Sequence, residues 1–228
     1  MNRTKLLFIA VTLIAFAVLQ PLRSSANGDL DQILAKMESA ARSIKTAEAN
    51  LDQEKRDMQI GGREVYRGRI FLSHAKNCDR VRINYSLPEG QVVLVECEKI
   101  TLYQPGIKQA IVTTRKAQAS RNQEFSFIAT PYKSVPELKS QYNIAHIGDE
   151  SVGGAPTAKL ELTPKAQSSI RKLTLWVDQS SWVPIKYQVV ETSGNITTFT
   201  LTGMRVNGGL GGDVFKLSLP KGTKVVPK

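Results

Sequence analysis

Histidine and cysteine, two residue types common in catalytic and metal sites, occur only twice each in this chain, and they form no known catalytic or metal-binding pattern. The two histidines, His74 and His146, fall in separate strand-like segments. Asp149 and Glu150 are adjacent, and because neighbouring residues of a strand face opposite sides, we interpret them as solvated turn residues. The glycine-rich run at 207–212 has no helix after it, unlike a phosphate-binding loop. The sequence therefore predicts a binding protein with no catalytic residues, no metal and no cofactor.

The two cysteines, Cys78 and Cys97, flank a hairpin that turns at the tripeptide PEG. If Leu87 faces Gln91, Cys78 lies opposite residue 100, three positions from Cys97. A disulfide is expected at this separation in an oxidising compartment, and it would stabilise the fold by about 3 kcal/mol. The alternative is a pair of free, half-buried thiols.

The first 26 residues are expected to be a signal peptide, and residues 27–228 a single domain. Arg3 and Lys5 precede an apolar run, Leu6–Leu19, and small residues ending at Ala26 provide a cleavage site. A membrane anchor is the alternative, but spanning a bilayer takes about 20 apolar residues. We therefore expect a soluble protein exported to the periplasm and cleaved near Ala26.

The net charge of the chain indicates which class of binding partner to expect. The net charge is +11, and it becomes +8 once Arg3, Lys5 and Arg23 are removed with the leader. In an exported protein a basic surface favours anionic membranes or acidic proteins, and nucleic acid is not an expected partner.

Strand patterns dominate the chain. Between residues 66 and 112, short runs rich in Val, Ile, Leu and Tyr alternate with turns. Ile70 and Leu72 face one way, whereas Arg67 and Arg69 face the other, so one face of the sheet is apolar. Similar hairpins return after residue 142, which gives about ten strands in all, and an antiparallel sheet of that size curls or closes.

Two segments interrupt this pattern. A helix is predicted from Asp29 to about Asn50, because apolar residues recur at helical spacing on one face. Residues 121–142 contain several Phe and Tyr residues together with Pro131 and Pro136, which favour two short helical or looped pieces. This segment is interpreted as either a lid or an ordinary second layer of core packing.

Alternation and the aromatic insertion together predict an apolar interior, although they do not separate an open cavity from a closed core. The residues expected to contribute are Ile70, Leu72, Ile83, Tyr85, Leu94, Leu102, Phe125, Phe127, Ile128, Leu173, Leu175 and Tyr187.

Several stretches resemble the periplasmic outer-membrane lipoprotein carriers, the LolA family. LYQPGIKQAIV is similar to the family's strand pair LW-Y-P-x-x-x-Q-x-x-V, YSLPEGQVVLVE to its proline-centred hairpin, and DVFKLSLPKGTKVV to its ending. The resemblance spans nearly all of residues 27–228, and the order and spacing of the stretches make it specific. It departs at the end of the Gly68-led strand, where the family's lid-holding Arg is replaced by His74.

The resemblance implies an α+β fold: a mostly antiparallel, single curved sheet forming an open half-barrel, with an N-terminal helix and a helical lid over an apolar cavity. It implies a monomeric carrier that shields lipoprotein acyl chains, receives them from an inner-membrane ABC transporter and delivers them to an outer-membrane receptor. His74 becomes the candidate lid clasp. A shuttle for another lipid and an envelope sensor or regulator that shares the fold are the alternatives, with a hydrolase behind them.

Overall fold

The computed structural model describes residues 26–74, 78–114 and 134–227. In these ranges two α-helices, α1 (Ala26–Ser43) and α2 (Val135–Gln141), accompany one twelve-stranded sheet. The strands are β1 Thr46–Arg56, β2 Arg63–Ser73, β3 Arg80–Leu87, β4 Val92–Glu96, β5 Lys99–Gln104, β6 Gln109–Thr114, β7 Tyr142–Val152, β8 Ala155–Pro164, β9 Ile170–Asp178, β10 Pro184–Glu191, β11 Ile196–Val206 and β12 Lys224–Pro227.

The sheet is open, with the order β12-β6-β5-β4-β3-β2-β1-β11-β10-β9-β8-β7. The described neighbours pair antiparallel, apart from β12, which runs parallel to β6. The fold is therefore α+β and mostly antiparallel, an unclosed half-barrel as the sequence predicts, with twelve strands where about ten were expected.

Alternation along each strand divides the sheet into an inner and an outer face. Leu51, Ile83 and Leu173 on the inner face are at most 1% exposed, and they pack with Leu34 of α1 and Leu138 of α2 in one hydrophobic cluster. We define the inner face by this cluster. Burial of large apolar side chains between the sheet and the two helices stabilises the domain.

The predicted helix is too long at its C-terminal end. Instead of reaching Asn50, α1 ends at Ser43, and β1 begins at Thr46. The Asn207 side chain fixes this junction: its oxygen accepts from the Lys45 amide at 2.8 Å, and its nitrogen donates to the Ser43 carbonyl at 2.9 Å. These contacts satisfy backbone groups that the end of a helix leaves unpaired.

The hairpin between β3 and β4 is shifted by two residues from the predicted register. Arg80 faces Glu96, and the ladder closes where the Tyr85 amide donates to the Gln91 carbonyl at 2.9 Å. The loop is therefore wider than a turn closed by Leu87 and Gln91. The shift brings the ends of the hairpin closer, and a disulfide joins Cys78 and Cys97, whose Cα atoms are 4.5 Å apart.

The segment at 207–223, which we call the C-terminal segment, covers part of the outer face. Arg82 donates from Nη1 to the carbonyls of Val214 (3.0 Å) and Lys216 (2.7 Å), while Phe215 between them is buried. Leu94 pairs with Arg82 and points away from the inner cluster that contains Val93 and Val95. Leu94 is buried as an interior residue would be, but on the outer face and outside the inner cluster, because this strand is apolar on both faces.

The short helix α2 is capped and tied to α1. Ser134 and Glu137 form a reciprocal capping box, and Pro136 lies in the first turn. The Val135 amide donates to Glu38 of α1 at 2.7 Å, and this hydrogen bond is the main reason why the pKa of Glu38 lies below its usual range. Neither described helix has the length and apolar character to cross a membrane.

Candidate functional site

The inner face gathers most of the residues that alternation predicted. Seven of them belong to the single buried cluster: Ile70, Leu72, Ile83, Tyr85, Leu173, Leu175 and Tyr187. Leu102 is partly buried and packs against that cluster. Phe125, Phe127 and Ile128 lie outside the described residues, so their part in an interior or a lid stays a prediction.

Aromatic rings line two parts of this interior. Tyr187 of β10 stacks on Phe199 of β11 with ring centroids 4.5 Å apart, and Tyr66 meets Tyr85 edge-on at 5.7 Å. Phe199 was not among the predicted interior residues, although its position opposite Tyr187 would have followed from the hairpin register. Stacked and edge-on rings provide flat, apolar surfaces on the inner face of the sheet.

One polar pair lies within the interior. The Tyr85 hydroxyl donates to the side-chain oxygen of Gln53 at 2.8 Å, and both residues are buried. Burial raises the pKa of the Tyr85 phenol above its ordinary value, so it stays a neutral donor. Burial also raises the pKa of Tyr66 to about 12, helped by its hydrogen bond to Glu64.

A cleft opens where one end of the sheet meets the two helices. At this end the start of β1 lies beside the β2–β3 and β9–β10 connections, because Thr46 pairs with Ser73 and Pro184 with Val177. The walls of the cleft are largely apolar and come from both helices, the sheet and the β9–β10 connection: Met37, Ala41, Leu72, Val81, Val135 and Trp182. Met37, Leu72, Val81 and Val135 also belong to the inner cluster, so the cleft leads from solvent to the interior.

Polar side chains form the rim of this cleft. The rim includes Lys45, His74, Asp79 and Arg80. His74 Nδ1 lies 2.6 Å from Asp79 Oδ1, and the backbone amide of His74 donates to the Lys45 carbonyl at 2.8 Å. Cys78 immediately precedes Asp79 and is bonded to Cys97, so the rim is anchored to the β4–β5 turn.

Trp182 also lines the cleft. Its backbone has a φ of +58°, which is unusual for a bulky residue, and its amide donates to the Asp178 carbonyl at 2.7 Å. Its indole packs against the inner cluster, and the Lys36 ammonium lies 4.1 Å from the ring centroid. A residue held in a strained conformation at a cleft is a candidate functional residue. Sequence reasoning missed it, because it treated Trp182 only as part of a turn.

The cleft is narrow in this conformation. Its volume is about 60 Å³, which is room for roughly five water-sized groups. A long acyl chain does not fit in that space, so binding one requires the walls to separate.

The comparisons with known proteins agree with this architecture. Residues 42–218, most of the chain, match the family model described as "Outer membrane lipoprotein carrier protein LolA". This chain belongs to the LolA family. The outer-membrane lipoprotein carrier protein of Xanthomonas campestris pv. campestris (strain B100) is 23% identical over 193 residues, which is 84% of this chain and 86% of that protein. That of Actinobacillus pleuropneumoniae serotype 7 (strain AP76) is 23% identical over 195 residues, 85% of this chain and 83% of that one.

Solved structures show the same fold at lower identity. An uncharacterised conserved protein from Thermus thermophilus has a TM-score of 0.55 and 12% identity, covering 88% of this chain and 99% of that one. A chain of the Pseudomonas aeruginosa MucA/MucB complex has a TM-score of 0.52 and 16% identity, covering 83% and 61%. The LolA family and the curated relatives are named as carriers and not as enzymes.

The side chains that could bind a metal ion are dispersed over the part of this LolA-family chain that the structure describes. Among the described residues, His, Cys, Asp and Glu side chains do not cluster in groups of three or more that would hold an ion. At the position where the family resemblance predicts a lid clasp, the described partner of the His74 ring is Asp79. A role of His74 in holding the lid stays a prediction.

Proposed function

We propose that this protein is a periplasmic carrier that shields lipoprotein acyl chains in its apolar interior and moves them from the inner to the outer membrane. An inner-membrane ABC transporter would supply the lipoprotein and an outer-membrane receptor would accept it. Residues 1–26 would direct export as a signal peptide, leaving residues 27–228 as the carrier domain. Membership of the LolA family supports this role.

The observation that carries the proposal is the continuity between the rim cleft and the inner cluster. Met37 and Leu72 contribute to both, so a chain that passes the rim reaches apolar side chains without crossing a charged layer. Each CH₂ transferred from water to such a surface gains about 0.8 kcal/mol. Transfer of a chain of roughly 15 such groups from water into the interior is therefore favourable by about 12 kcal/mol. In an aqueous compartment without a carrier, the same chain would stay exposed to water.

Opening the cleft requires the helices to move away from the sheet, and the contacts that hold them suit this role. Within the described ranges, the polar ties between α1 and α2 include the Val135–Glu38 hydrogen bond and an exposed contact of 3.4 Å between Lys139 Nζ and Asp31 Oδ1. Exposed ion pairs of this kind contribute little, roughly 0–1 kcal/mol. The sheet, in contrast, is held by long antiparallel ladders, so we expect the helical side to open first.

The test is a substitution that fills the cleft. Ala41 lines the cleft on α1, and Ala35 lies exposed on the same helix. We expect Ala41→Trp to reduce saturable binding of a fluorescent fatty-acid probe and the recovery of lipid with protein purified from periplasm. Ala35→Trp, the same change on the solvent side, should leave both unchanged. Equal binding by the two variants would contradict the proposed route.

The identity of the cargo separates the proposal from its alternatives. Mass spectrometry of lipid bound to protein purified natively from periplasm would show lipoprotein acyl chains for a carrier of lipoproteins, and free lipids for a shuttle of another kind. A second alternative is a regulator that binds a partner protein, since the fold is similar to that of a chain in the MucA/MucB complex. Recovery of lipid-free protein together with a protein partner would favour that function.

A further inference from the structure

The rim of the cleft carries excess positive charge. Lys45 and Arg80 border the cleft, and the Lys36 ammonium lies over Trp182 in its wall, whereas Asp79 is the acidic residue among the rim side chains. Asp79 is already engaged by His74 at 2.6 Å. Part of the rim's positive charge is therefore available to a ligand.

The acidic residues nearest to the rim along the chain also have internal partners. Glu38 accepts from the Val135 amide and from Arg42, at 2.7 and 2.9 Å. Asp178, at the β9–β10 connection, accepts from Ser180 and Ser181, and these hydrogen bonds hold its pKa below the usual range against the opposing effect of burial. These carboxylates therefore do not neutralise Lys36 and Lys45.

The two lysines differ in how they are held. The Lys36 ammonium lies over the indole of Trp182, a contact that leaves its N–H groups able to donate to an anion. Lys45 is exposed at the junction of α1 and β1, where its backbone rather than its side chain is tied to Asn207. Within the ranges that the structure describes, neither lysine forms an ion pair with a carboxylate.

Arg80 borders the cleft, but its guanidinium is engaged on the outer face of the sheet. It stacks 4.6 Å from the Phe215 ring centroid, and Nη2 lies 3.4 Å from Ser73 Oγ. Because a guanidinium packs well on an aromatic face, this cation is held by the C-terminal segment. Among the described residues, Lys36 and Lys45 are therefore the cations at the cleft that we assign to a ligand.

We infer that the cleft binds an amphiphile in which an alkyl chain ends in an anionic group, a carboxylate or a phosphate. The chain lies between Trp182 and Met37, and the anionic group is held by Lys36 and Lys45. This inference rests on the proposed carrier function and adds a requirement to it. A neutral acyl ester gains nothing from the cations, whereas a carboxylate or phosphate does.

The experiment compares three amphiphiles of equal chain length. Dodecanoate, dodecyl phosphate and uncharged dodecanol are titrated against protein loaded with an apolar fluorescent probe, at low and high salt. We expect the two anions to displace the probe at lower concentrations than the alcohol, and their advantage to shrink with salt because exposed charges are screened. The stronger of the two anions identifies the source as a fatty acid or a phospholipid.

Two double variants test the assignment to residues. Lys36→Gln/Lys45→Gln should weaken binding of the better anion roughly fivefold to tenfold, as expected for two exposed charge contacts, and leave dodecanol unchanged. Lys221→Gln/Lys224→Gln removes the same charge at exposed positions beside the other end of the sheet, where Lys224 pairs with Gln109, and should change neither ligand.

The outcomes separate this inference from the proposed function. If all three amphiphiles displace the probe equally, and neither double variant changes the result, the anionic preference is overturned while the apolar carrier stands. If the control variant weakens the anions as much as the rim variant, the effect is one of net charge and the rim assignment is overturned. If none of the amphiphiles displaces the probe, the carrier function fails and this inference fails with it.

Discussion

The Tyr85 hydroxyl donates a hydrogen bond of 2.8 Å to the Gln53 side chain inside an otherwise apolar interior. Tyr85 lies on β3 and Gln53 on β1, with β2 between them in the sheet. The contact therefore bridges across a strand, and its partners are 32 residues apart in the chain. A buried polar group costs free energy unless it is paired, so each residue depends on the other.

This dependence predicts non-additive mutations. Tyr85→Phe leaves the buried Gln53 oxygen without its donor and should lower the free energy of unfolding by about 1–3 kcal/mol. Gln53→Met should also destabilise, because it removes the acceptor. The double variant should lose less than the sum of the two, with a coupling of about 1 kcal/mol measured by urea unfolding. Simple additivity would show that the contact contributes nothing.

Alkaline pH should destabilise the fold through Tyr66. Its pKa is raised from 10.0 to about 12, first by burial and then by its hydrogen bond to Glu64. The unfolded chain therefore releases this proton at lower pH than the folded chain, so stability is full below pH 10 and falls as pH rises towards about 12. Tyr66→Phe should reduce the slope of the free energy of unfolding over that range. An unchanged slope would contradict the assignment.

Gly68 should not tolerate even one added carbon. A Cβ at this position would lie 2.2 Å from the Asn84 carbonyl oxygen and 2.9 Å from Tyr85 Cα, so β2 and β3 would have to separate. Gly68→Ala should cost about 2–3 kcal/mol. The matched control is Gly62→Ala, where the nearest atom would be 3.6 Å away, and a change within about 0.5 kcal/mol is expected. Similar thermal unfolding of the two variants would refute the steric account.

The Cys78–Cys97 disulfide closes a loop with a sequence separation of 19. Reduction should therefore lower the free energy of unfolding by about 3 kcal/mol, mainly by freeing the unfolded chain. The comparison is between oxidised and reduced protein of the same sequence, and Cys78→Ala/Cys97→Ala should be insensitive to reductant. Thiol titration of unfolded, unreduced protein from periplasm should find no free thiol, and two thiols per chain would refute the bond.

Much of the sheet followed from the sequence because apolar and polar residues alternate along many of its strands. Ile70 and Leu72 alternate with Arg67 and Arg69, and the structure buries the first pair while the second pair forms ion pairs at the surface. Alternation identifies a face without any knowledge of what covers it, so the open antiparallel sheet was predictable.

The errors arose where distant residues decide local structure. The Ala-rich start of β1 favours a helix by intrinsic propensity, and only Asn207, 162 residues away from Lys45, marks where α1 stops. Alternation does not assign a face to Leu94, because β4 is buried and apolar on both sides, and the structure places it outside the inner cluster that contains Val93 and Val95. On that outer face, Arg82 opposite Leu94 binds the backbone on both sides of Phe215, more than 100 residues away in the chain.

The candidate site was the least predictable part. Trp182 has a left-handed backbone, and Lys36 of α1 contacts its ring. The sequence of the turn predicts neither feature. The prediction that Phe125 and Phe127 belong to a lid rests on the sequence alone. The cleft itself is a meeting of four separate stretches of chain, so it exists only once the fold is formed.

The parallel pairing of β12 with β6 bears on how the molecule avoids polymerising. An uncovered edge strand is a template on which another chain can add. Here the chain occupies its own β6 edge with Lys224–Pro227, and Pro227, the last residue of β12, has no N–H to offer to a further strand. The four residues of β12 thus limit further growth of the sheet. We therefore expect removal of residues 224–227 to lower the solubility of the protein before it unfolds the domain.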